Sequence, residues 1–225
     1  MTPNPDAPRS ADDPLGFIPR PTPQLRTAVE RQRGALPPSD FADFLSNVRS
    51  AFNKYTAKLL EFEPGIHRGV ALHRMMDNEM KAAAHVVVTC CKGCSGCCHY
   101  EVEVTNDEAV ILSIIVQEGL VIDNARLAIQ AARERKSPAW RRFQDPGNLC
   151  VFLGDDGACR IYEHRPAICR KHLVTTPAVA CTTDGMAVAP VEVLLAEILL
   201  SAATSIEGTS CGALPKMLLE SLGNV

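Results

Sequence analysis

The densest group of chemically active side chains is a run of cysteines in the middle of the chain. Five of the ten cysteines lie within the nine residues from Cys90 to Cys98. Two-residue spacers let neighbouring thiolates turn towards one metal ion or cluster, and three cysteines so spaced match the first three ligands of bacterial ferredoxin-type clusters. The spacing therefore predicts metal binding by the pattern Cys91-x-x-Cys94-x-x-Cys97-Cys98.

A second group of cysteines, Cys150, Cys159 and Cys169, can supply further ligands. With the run they make seven thiols, which exceeds the four that one tetrahedral zinc or one 4Fe–4S cluster needs. Either two metals bind, or one binds and the spare thiols do something else. His99 and His172 could each replace a thiolate, although isolated histidines are more often found at the surface or beside a site.

The distribution of the cysteines argues against a disulfide framework. Ten cysteines in 225 residues are too few for a disulfide-built mini-protein. A disulfide also stabilises most when it closes a long loop, which closely spaced cysteines cannot do.

The chain opens with MTPNPDAPRSADDPLGF, which has no apolar stretch typical of an export signal. We therefore expect a cytoplasmic protein, in a compartment where thiols stay reduced.

Charge and apolar content do not point to nucleic acid or membrane. The net charge is −3, with 23 basic and 26 acidic side chains, so no global field favours a polyanion. The longest apolar stretch, residues 186–203, contains Pro190, Glu192 and Glu197. A spanning helix rarely carries two carboxylates, so this stretch predicts a helix that does not cross a membrane. A protein partner stays open.

The elements that position these cysteines are mostly helical. Apolar residues recur every three or four positions, and Thr105-x-x-Glu108 is a capping box at a helix start. Strand-like segments flank a Gly154-to-Gly157 turn, which predicts a β-hairpin carrying Cys150 and Cys159. The predicted helices span residues 39–62, 67–85, 106–117, 123–136, 191–203 and 216–222, with a short helical turn after Pro166.

The N-terminal 38 residues hold nine of the sixteen prolines and little apolar periodicity. They predict a disordered, flexible Pro-rich arm, with at most a short helix at 24–33. Residues 39–225 then form a single metal-binding domain whose cysteine-cluster core covers about 88–172. The predicted fold class is α-rich α+β, with helices around a small β-hairpin at the cysteine cluster.

The cysteine segments also resemble a known family. CKGCSGCC at 91–98 and CVFLGDDGACRIYEHRPAICR at 150–170 are similar to the YkgJ-like cysteine-cluster family, described as a zinc- or iron-chelating CxxCxxCC domain. The resemblance covers roughly residues 88–172 and leaves out Cys90, Cys181 and Cys211. The last two could be extra ligands that close the site from the C-terminal side, although an isolated cysteine is more commonly a buried free thiol. The resemblance implies that Cys91, Cys94, Cys97, Cys98, Cys150, Cys159 and Cys169 form a metal site.

Three functions fit a protein with this site. An iron–sulfur cluster (4Fe–4S), suggested by the ferredoxin-like spacing, would make it a redox protein, such as an iron–sulfur oxidoreductase, or an accessory factor. A zinc ion held by thiolates would make it a non-enzymatic module with a structural metal. The surplus of ligands suggests a metal carrier. Arg160, Arg165 and Arg170 lie beside the cysteines and are expected to offset thiolate charge.

Overall fold

The structure, a computed structural model, describes residues 12–91, 93–141, 145–183 and 185–223. Within these ranges the chain forms eight α-helices and one two-stranded antiparallel sheet. This confirms the helix-rich α+β fold class. The helices are α1 (Pro23–Ala35), α2 (Pro38–Leu60), α3 (Ile66–Met80), α4 (Asn106–Gln117), α5 (Asn124–Ala131), α6 (Ala167–Lys171), α7 (Leu194–Ser205) and α8 (Leu214–Gly223), and the strands are β1 (Glu103–Thr105) and β2 (Cys211–Ala213).

The larger hydrophobic core lies between α2 and α7 and includes residues of α1 and α3. The apolar spacing that predicts a helix over 39–62 explains the position of this core. It puts Val48, Phe52 and Leu59 on one face of α2, and all three side chains are buried. They pack with α7 residues such as Leu199, which is fully buried. The helix begins at Pro38, and no side-chain cap is present at its start.

Residues 12–38 differ from the predicted flexible arm. The side chains of Leu15, Ile18, Leu25 and Val29 are almost completely buried in the larger core. The expected short helix is confirmed as α1, where the Thr22 hydroxyl accepts a hydrogen bond from Leu25 N and Pro23 fills the first turn. The prolines of this segment therefore lie in turns and at a helix start. The burial of four apolar side chains gives the segment a defined structure despite its proline content. Residues 1–11 of the predicted arm lie outside the described residues.

A smaller core joins α4, α5 and α8 and is closed by the sheet. Strand β1 pairs with β2 in antiparallel register, Val104 opposite Gly212. The predicted hairpin is not the sheet: residues 150–162 form a tight turn with one isolated bridge between Leu153 and Cys159. Two backbone hydrogen bonds cross this turn, from Arg160 N to Phe152 O and from Gly154 N to Ala158 O, each at 2.9 Å.

The apolar stretch at 186–203 supplies α7, which has only 12 residues. In the part of the chain that the structure describes, we find no helix with the length and apolar character needed to cross a bilayer.

The packing of the N-terminal segment gives a first prediction. Ile18 is fully buried, so Ile18→Ala should lower the free energy of unfolding by about 2–5 kcal/mol in a urea titration followed by circular dichroism. The matched control is Ile129→Ala, since that isoleucine is 60% exposed and should change the value by about 0.5 kcal/mol or less. Equal effects of the two substitutions would contradict the packing of this segment.

Candidate metal centre

The cysteine run forms a compact loop, here called the cluster loop (residues 90–100). A turn closed by the Cys94 N to Cys91 O hydrogen bond of 3.0 Å is followed by a 3₁₀ turn at Gly96–His99. The Cys91 side chain is exposed, whereas Cys94, Cys97 and Cys98 are half-buried. The loop thus presents its sulfurs to two other parts of the chain, residues 150–171 and residues 174–182.

The first of these neighbours is the turn that carries Cys150 and Cys159. The Cys150 N–H donates to the Cys98 carbonyl over 2.9 Å, which joins the turn to the cluster loop. The sulfur of Cys150 accepts the N–H of Phe152, and that of Cys159 accepts the N–H of Ile161. In both cases the donor lies two residues after the cysteine. Such N–H···S bonds stabilise thiolates and are common around metal-bound sulfur.

The helix that carries Cys169 is held by one buried carboxylate. The Ala167 N–H, at the start of α6, donates to Glu108 Oε1 over 2.7 Å. His73 Nε2 of α3 lies 3.2 Å from the same oxygen, while Glu108 Oε2 accepts the N–H of Thr105 at 3.0 Å. The last bond, with the return bond from Glu108 N to the Thr105 hydroxyl, is the predicted capping box, which is confirmed.

The Glu108 carboxylate is ionised in this environment. Burial opposes its charge, but the hydrogen bond and charge of His73 and the N–H groups of Thr105 and Ala167 outweigh burial and lower its pKa. Next to it, Asp107 accepts from the Arg68 guanidinium and from Gly65 N. The N-terminus of α4 therefore joins α3 and α6 through two buried acidic side chains.

The other end of α6 is attached to the larger core. Lys171 Nζ lies 2.6 Å from Glu197 Oε1 of α7, and both side chains are nearly buried. The second oxygen of Glu197 accepts the Thr22 hydroxyl at 2.9 Å, where Thr22 caps α1. The helix of Cys169 is thus fixed by charged contacts at both ends, and one of these contacts includes the N-terminal segment.

Two of the three predicted arginines surround the cysteines through distinct contacts. Burial raises the pKa of Cys159, and the positive charge of Arg165 opposes that rise; at Cys97 the same charge adds to the lowering of the pKa by the hydrogen bond with Cys98. The Arg165 guanidinium lies 3.6 Å from the centre of the Tyr162 ring. Arg170 bonds to Asp77 of α3 at 2.7 Å and to the Arg165 carbonyl at 2.7 Å. Arg165 is therefore placed to offset thiolate charge, whereas Arg170 joins α3 to the loop before α6.

The second neighbour of the cluster loop is residues 174–182. Thr89 N donates to the Val174 carbonyl at 3.0 Å, and Val174 N donates to Cys90 Sγ at 3.4 Å. Further along, Cys181 packs directly on the loop, since a Cβ added to Gly96 would lie 2.8 Å from the Cys181 Cβ. Only glycine fits there, so Gly96 allows Cys181 to approach the cluster loop.

The thiols influence one another electrostatically. A hydrogen bond with Cys98 lowers the pKa of Cys97 to about 7 and raises that of Cys98. Burial, with the charge of Cys159 and Cys97, raises the pKa of Cys150 to about 11, and burial with three neighbouring thiolates raises that of Cys169. Thiols so close together repel as thiolates, and a bound cation would remove that repulsion.

The donor chemistry fits a metal that prefers sulfur ligands. Each of the seven predicted ligands has another cysteine of the region close by. In each such pair, the negative charge of one thiolate raises the pKa of the neighbouring thiol. Among the residues that the structure describes, however, no three Cys, His, Asp or Glu side chains stand close enough together to hold a metal ion. The seven-residue ligand set therefore stays a prediction.

A comparison with known families decides the classification of this region. Residues 90–186 match the CxxCxxCC family, whose description is "Putative zinc- or iron-chelating domain". The resemblance seen in the sequence is confirmed. No curated protein and no solved structure matches the chain significantly. The CxxCxxCC region extends beyond residue 172 and includes the positions of Cys90 and Cys181.

Cys181 is a buried free thiol, as its isolated position in the sequence favours, but its contact with the cluster loop is visible only in the structure. It stands alone in the sequence, twelve positions after Cys169, and reads there as an ordinary buried thiol. In the structure it is buried against the cluster loop, and the Tyr100 hydroxyl donates to its carbonyl at 3.1 Å. Cys211 lies instead in β2, where burial and Glu103 raise its pKa to about 11.

The two candidate histidines have different surroundings. The Nδ1 atom of His99 is buried and has no hydrogen-bond partner among the described residues. Burial, and then the charge of Lys171, lowers the pKa of His172, which favours the neutral imidazole. An imidazole nitrogen is a common metal ligand, and the role of both histidines as ligands stays a prediction.

The Glu108 network gives a second prediction. Glu108→Gln removes the carboxylate that bonds to His73, Thr105 and Ala167 and leaves buried donors unsatisfied, so the free energy of unfolding should fall by about 1–3 kcal/mol at neutral pH. Because the folded-state pKa of Glu108 is lowered, its contribution is present above the usual value of about 4.5 and is lost as the pH falls through the folded-state pKa.

Urea titrations of both proteins across that pH range provide the measurement. The difference between wild type and variant should shrink as the pH falls. Glu207→Gln is the matched control, because Glu207 is exposed, and it should leave stability nearly unchanged at every pH. A constant difference down to low pH would show that the Glu108 charge is not what stabilises the fold.

Proposed function

We propose that this protein chelates a transition metal through the thiolates of Cys91, Cys94, Cys97, Cys98, Cys150, Cys159 and Cys169. The observation that carries the proposal is the hydrogen bond from Cys150 N to Cys98 O, which joins the cluster loop to the 150–161 turn without a metal. The helix of Cys169, α6, is held separately by the bond from Ala167 N to Glu108 Oε1 of α4. The family description supports a zinc- or iron-chelating role.

The residues of the chain would perform three tasks in such a centre. The backbone N–H groups of Phe152 and Ile161 would stabilise thiolate charge at Cys150 and Cys159. Arg165 would offset the net negative charge of a multi-thiolate site. Metal thiolate centres supply either electron transfer or structural cross-linking, depending on the metal. Thiols stay available in a reducing compartment, which agrees with the cytoplasmic location that we predict.

An iron–sulfur cluster is our first candidate for the bound group. The spacing Cys91-x-x-Cys94-x-x-Cys97 supports it, because it matches the first three ligands of ferredoxin-type 4Fe–4S clusters. With such a cluster the protein would be a redox protein or an accessory factor of a redox enzyme. The half-buried positions of Cys94, Cys97 and Cys98 suit a cluster shielded from water.

A structural zinc ion is the second candidate, favoured by a different observation. Cys150 and Cys159 each accept an N–H from the residue two positions later, across one tight turn. That arrangement presents a pair of thiolates to a single tetrahedral ion. In this case the metal would stabilise the 150–161 turn and the protein would be a non-enzymatic module.

Elemental analysis of the anaerobically purified chain separates the two candidates. An iron–sulfur protein should be brown, with visible charge-transfer absorption that bleaches on reduction, and should contain iron and inorganic sulfide in equal amounts. A colourless protein with stoichiometric zinc and no sulfide would contradict the first candidate and support the second. A protein that retains neither metal would contradict the proposed function.

Serine substitution tests the ligand set independently of the metal's identity. Cys169→Ser should reduce the metal content of the purified protein strongly, because a hydroxyl is a poor ligand for a soft metal site. Cys211→Ser is the matched control, since this half-buried cysteine lies in β2 and not in the cluster. The measurement is metal per chain, with circular dichroism to confirm that both variants are folded. Equal losses from the two variants would contradict the assignment of Cys169.

A further inference from the structure

A groove lies between the C-terminal end of α2 and one face of α3, here called the α2–α3 groove. It encloses about 400 Å³, which falls within the range of about 300–1,000 Å³ that small-molecule sites occupy. Its floor is apolar and consists of Phe62, Ile66, Val70, Ala71 and Met75. Among the described residues that line it there is no cysteine, so the groove is separate from the candidate metal centre.

The floor follows from the spacing of residues along α3. Ile66, Val70, Ala71 and Met75 are separated by one, four, five or nine positions, which places them along one face of a helix with 3.6 residues per turn. The rest of the helix packs against α4, α6 and α7. Ile66 and Phe62 are 38% and 37% exposed, so part of the apolar floor remains open to solvent.

The walls of the groove are held in place by contacts outside it. Asp107 of α4 accepts from Gly65 N and from the Arg68 guanidinium, which fixes the first turn of α3. At Gly69 the two helices approach so closely that an added Cβ would lie 2.9 Å from the Asp107 carbonyl oxygen. On the other wall, Leu59 in the last turn of α2 is fully buried. A ligand would therefore enter a groove that needs little ordering.

The rim of the groove is positively charged. Lys58, His67 and Arg74 line it with exposed side chains, and its lining contains no aspartate or glutamate. Within the described ranges neither Lys58 nor Arg74 forms an ion pair. The chain as a whole carries a net charge of −3, so this local excess of cations runs against its overall charge.

The acidic side chains in the second half of α3 are engaged elsewhere. Asp77 bonds to Arg170 at 2.7 Å, and Glu79 accepts a hydrogen bond from the Tyr55 hydroxyl. The two rim cations therefore remain available to an anion that enters the groove from solvent.

We propose that the α2–α3 groove binds a small amphiphilic carboxylate, an anion whose unbranched hydrocarbon chain covers the apolar floor. The charge of the rim calls for an anionic head group, because lysine and arginine pair directly with carboxylates. The exposed apolar floor calls for a hydrocarbon body. The inference is independent of the proposed metal chelation.

Size and backbone contacts exclude two other occupants. Nine residues line the groove, whereas a stable protein interface takes about 20–30 residues from each partner. A phosphate site at a helix start uses free backbone N–H groups, but the Asp107 carboxylate already occupies the start of α3, where Gly65 N donates to it. A single carboxylate at the rim, with its chain along the floor, fits both observations.

A titration of the isotope-labelled full-length protein with decanoate, at low salt and below its micelle-forming concentration, tests the proposal. Binding followed by amide chemical shifts should saturate at about one equivalent, with the changes concentrated in residues 58–78. Decyltrimethylammonium, which has the same chain and the opposite charge, should bind at least about fivefold more weakly. Acetate, which has the charge without the chain, should not saturate.

Substitutions of exposed residues, which should leave the fold intact by circular dichroism, assign the two parts of the site. Lys58→Gln combined with Arg74→Gln should raise the Kd for decanoate about fivefold without weakening decyltrimethylammonium, whereas Lys54→Gln, an exposed lysine of α2 outside the groove, should leave the Kd unchanged. Phe62→Ser should weaken decanoate, and its control Leu60→Ser, at a 58% exposed position outside the groove, should not. No saturable decanoate binding, shifts centred elsewhere, or equal effects of the groove variants and their controls would overturn the proposal.

Discussion

The arrangement of the cysteine region depends on one buried carboxylate. Glu108 accepts hydrogen bonds from the start of its own helix, from the start of α6 and from His73 of α3. Only an ionised carboxylate offers enough acceptor capacity for these donors at one place. A side chain that is 1% exposed therefore fixes the position of Cys169 relative to two helices of the frame. Removing it would leave a buried imidazole and three buried backbone or hydroxyl donors without their acceptor.

The N-terminal segment and the cysteine region are parts of one structure. Thr22, Glu197 and Lys171 connect the cap of α1, the buried face of α7 and the last turn of α6 in one chain of polar contacts. Ile18 and Leu25 add apolar burial to the same side of the molecule. The segment that precedes the cysteine domain in sequence thus contributes to the stability of the helix that carries Cys169.

Local patterns could be predicted from the sequence and distant contacts could not. The capping box of Thr105 and Glu108 and the apolar faces of α2 and α4 depend on neighbours three or four positions away. The pairing of Glu103 with Ala213 depends on residues 110 positions apart, so the sheet was expected elsewhere. Proline content misled the prediction for residues 12–38, because buried leucine and isoleucine outweigh it. The contact of Cys181 with Gly96 could not be predicted, because only folding brings the two residues together.

The hydrogen bond from Cys150 N to Cys98 O has a consequence for metal affinity. It closes a loop of about 50 residues, and closing such a loop costs on the order of 3–4 kcal/mol of chain entropy. Small zinc fingers must supply that entropy when the metal binds, so much of their binding energy goes into folding. In this chain the fold itself brings the two segments together. A metal bound at the proposed site would not have to supply that entropy, so more of the intrinsic sulfur–metal free energy would be expressed as affinity.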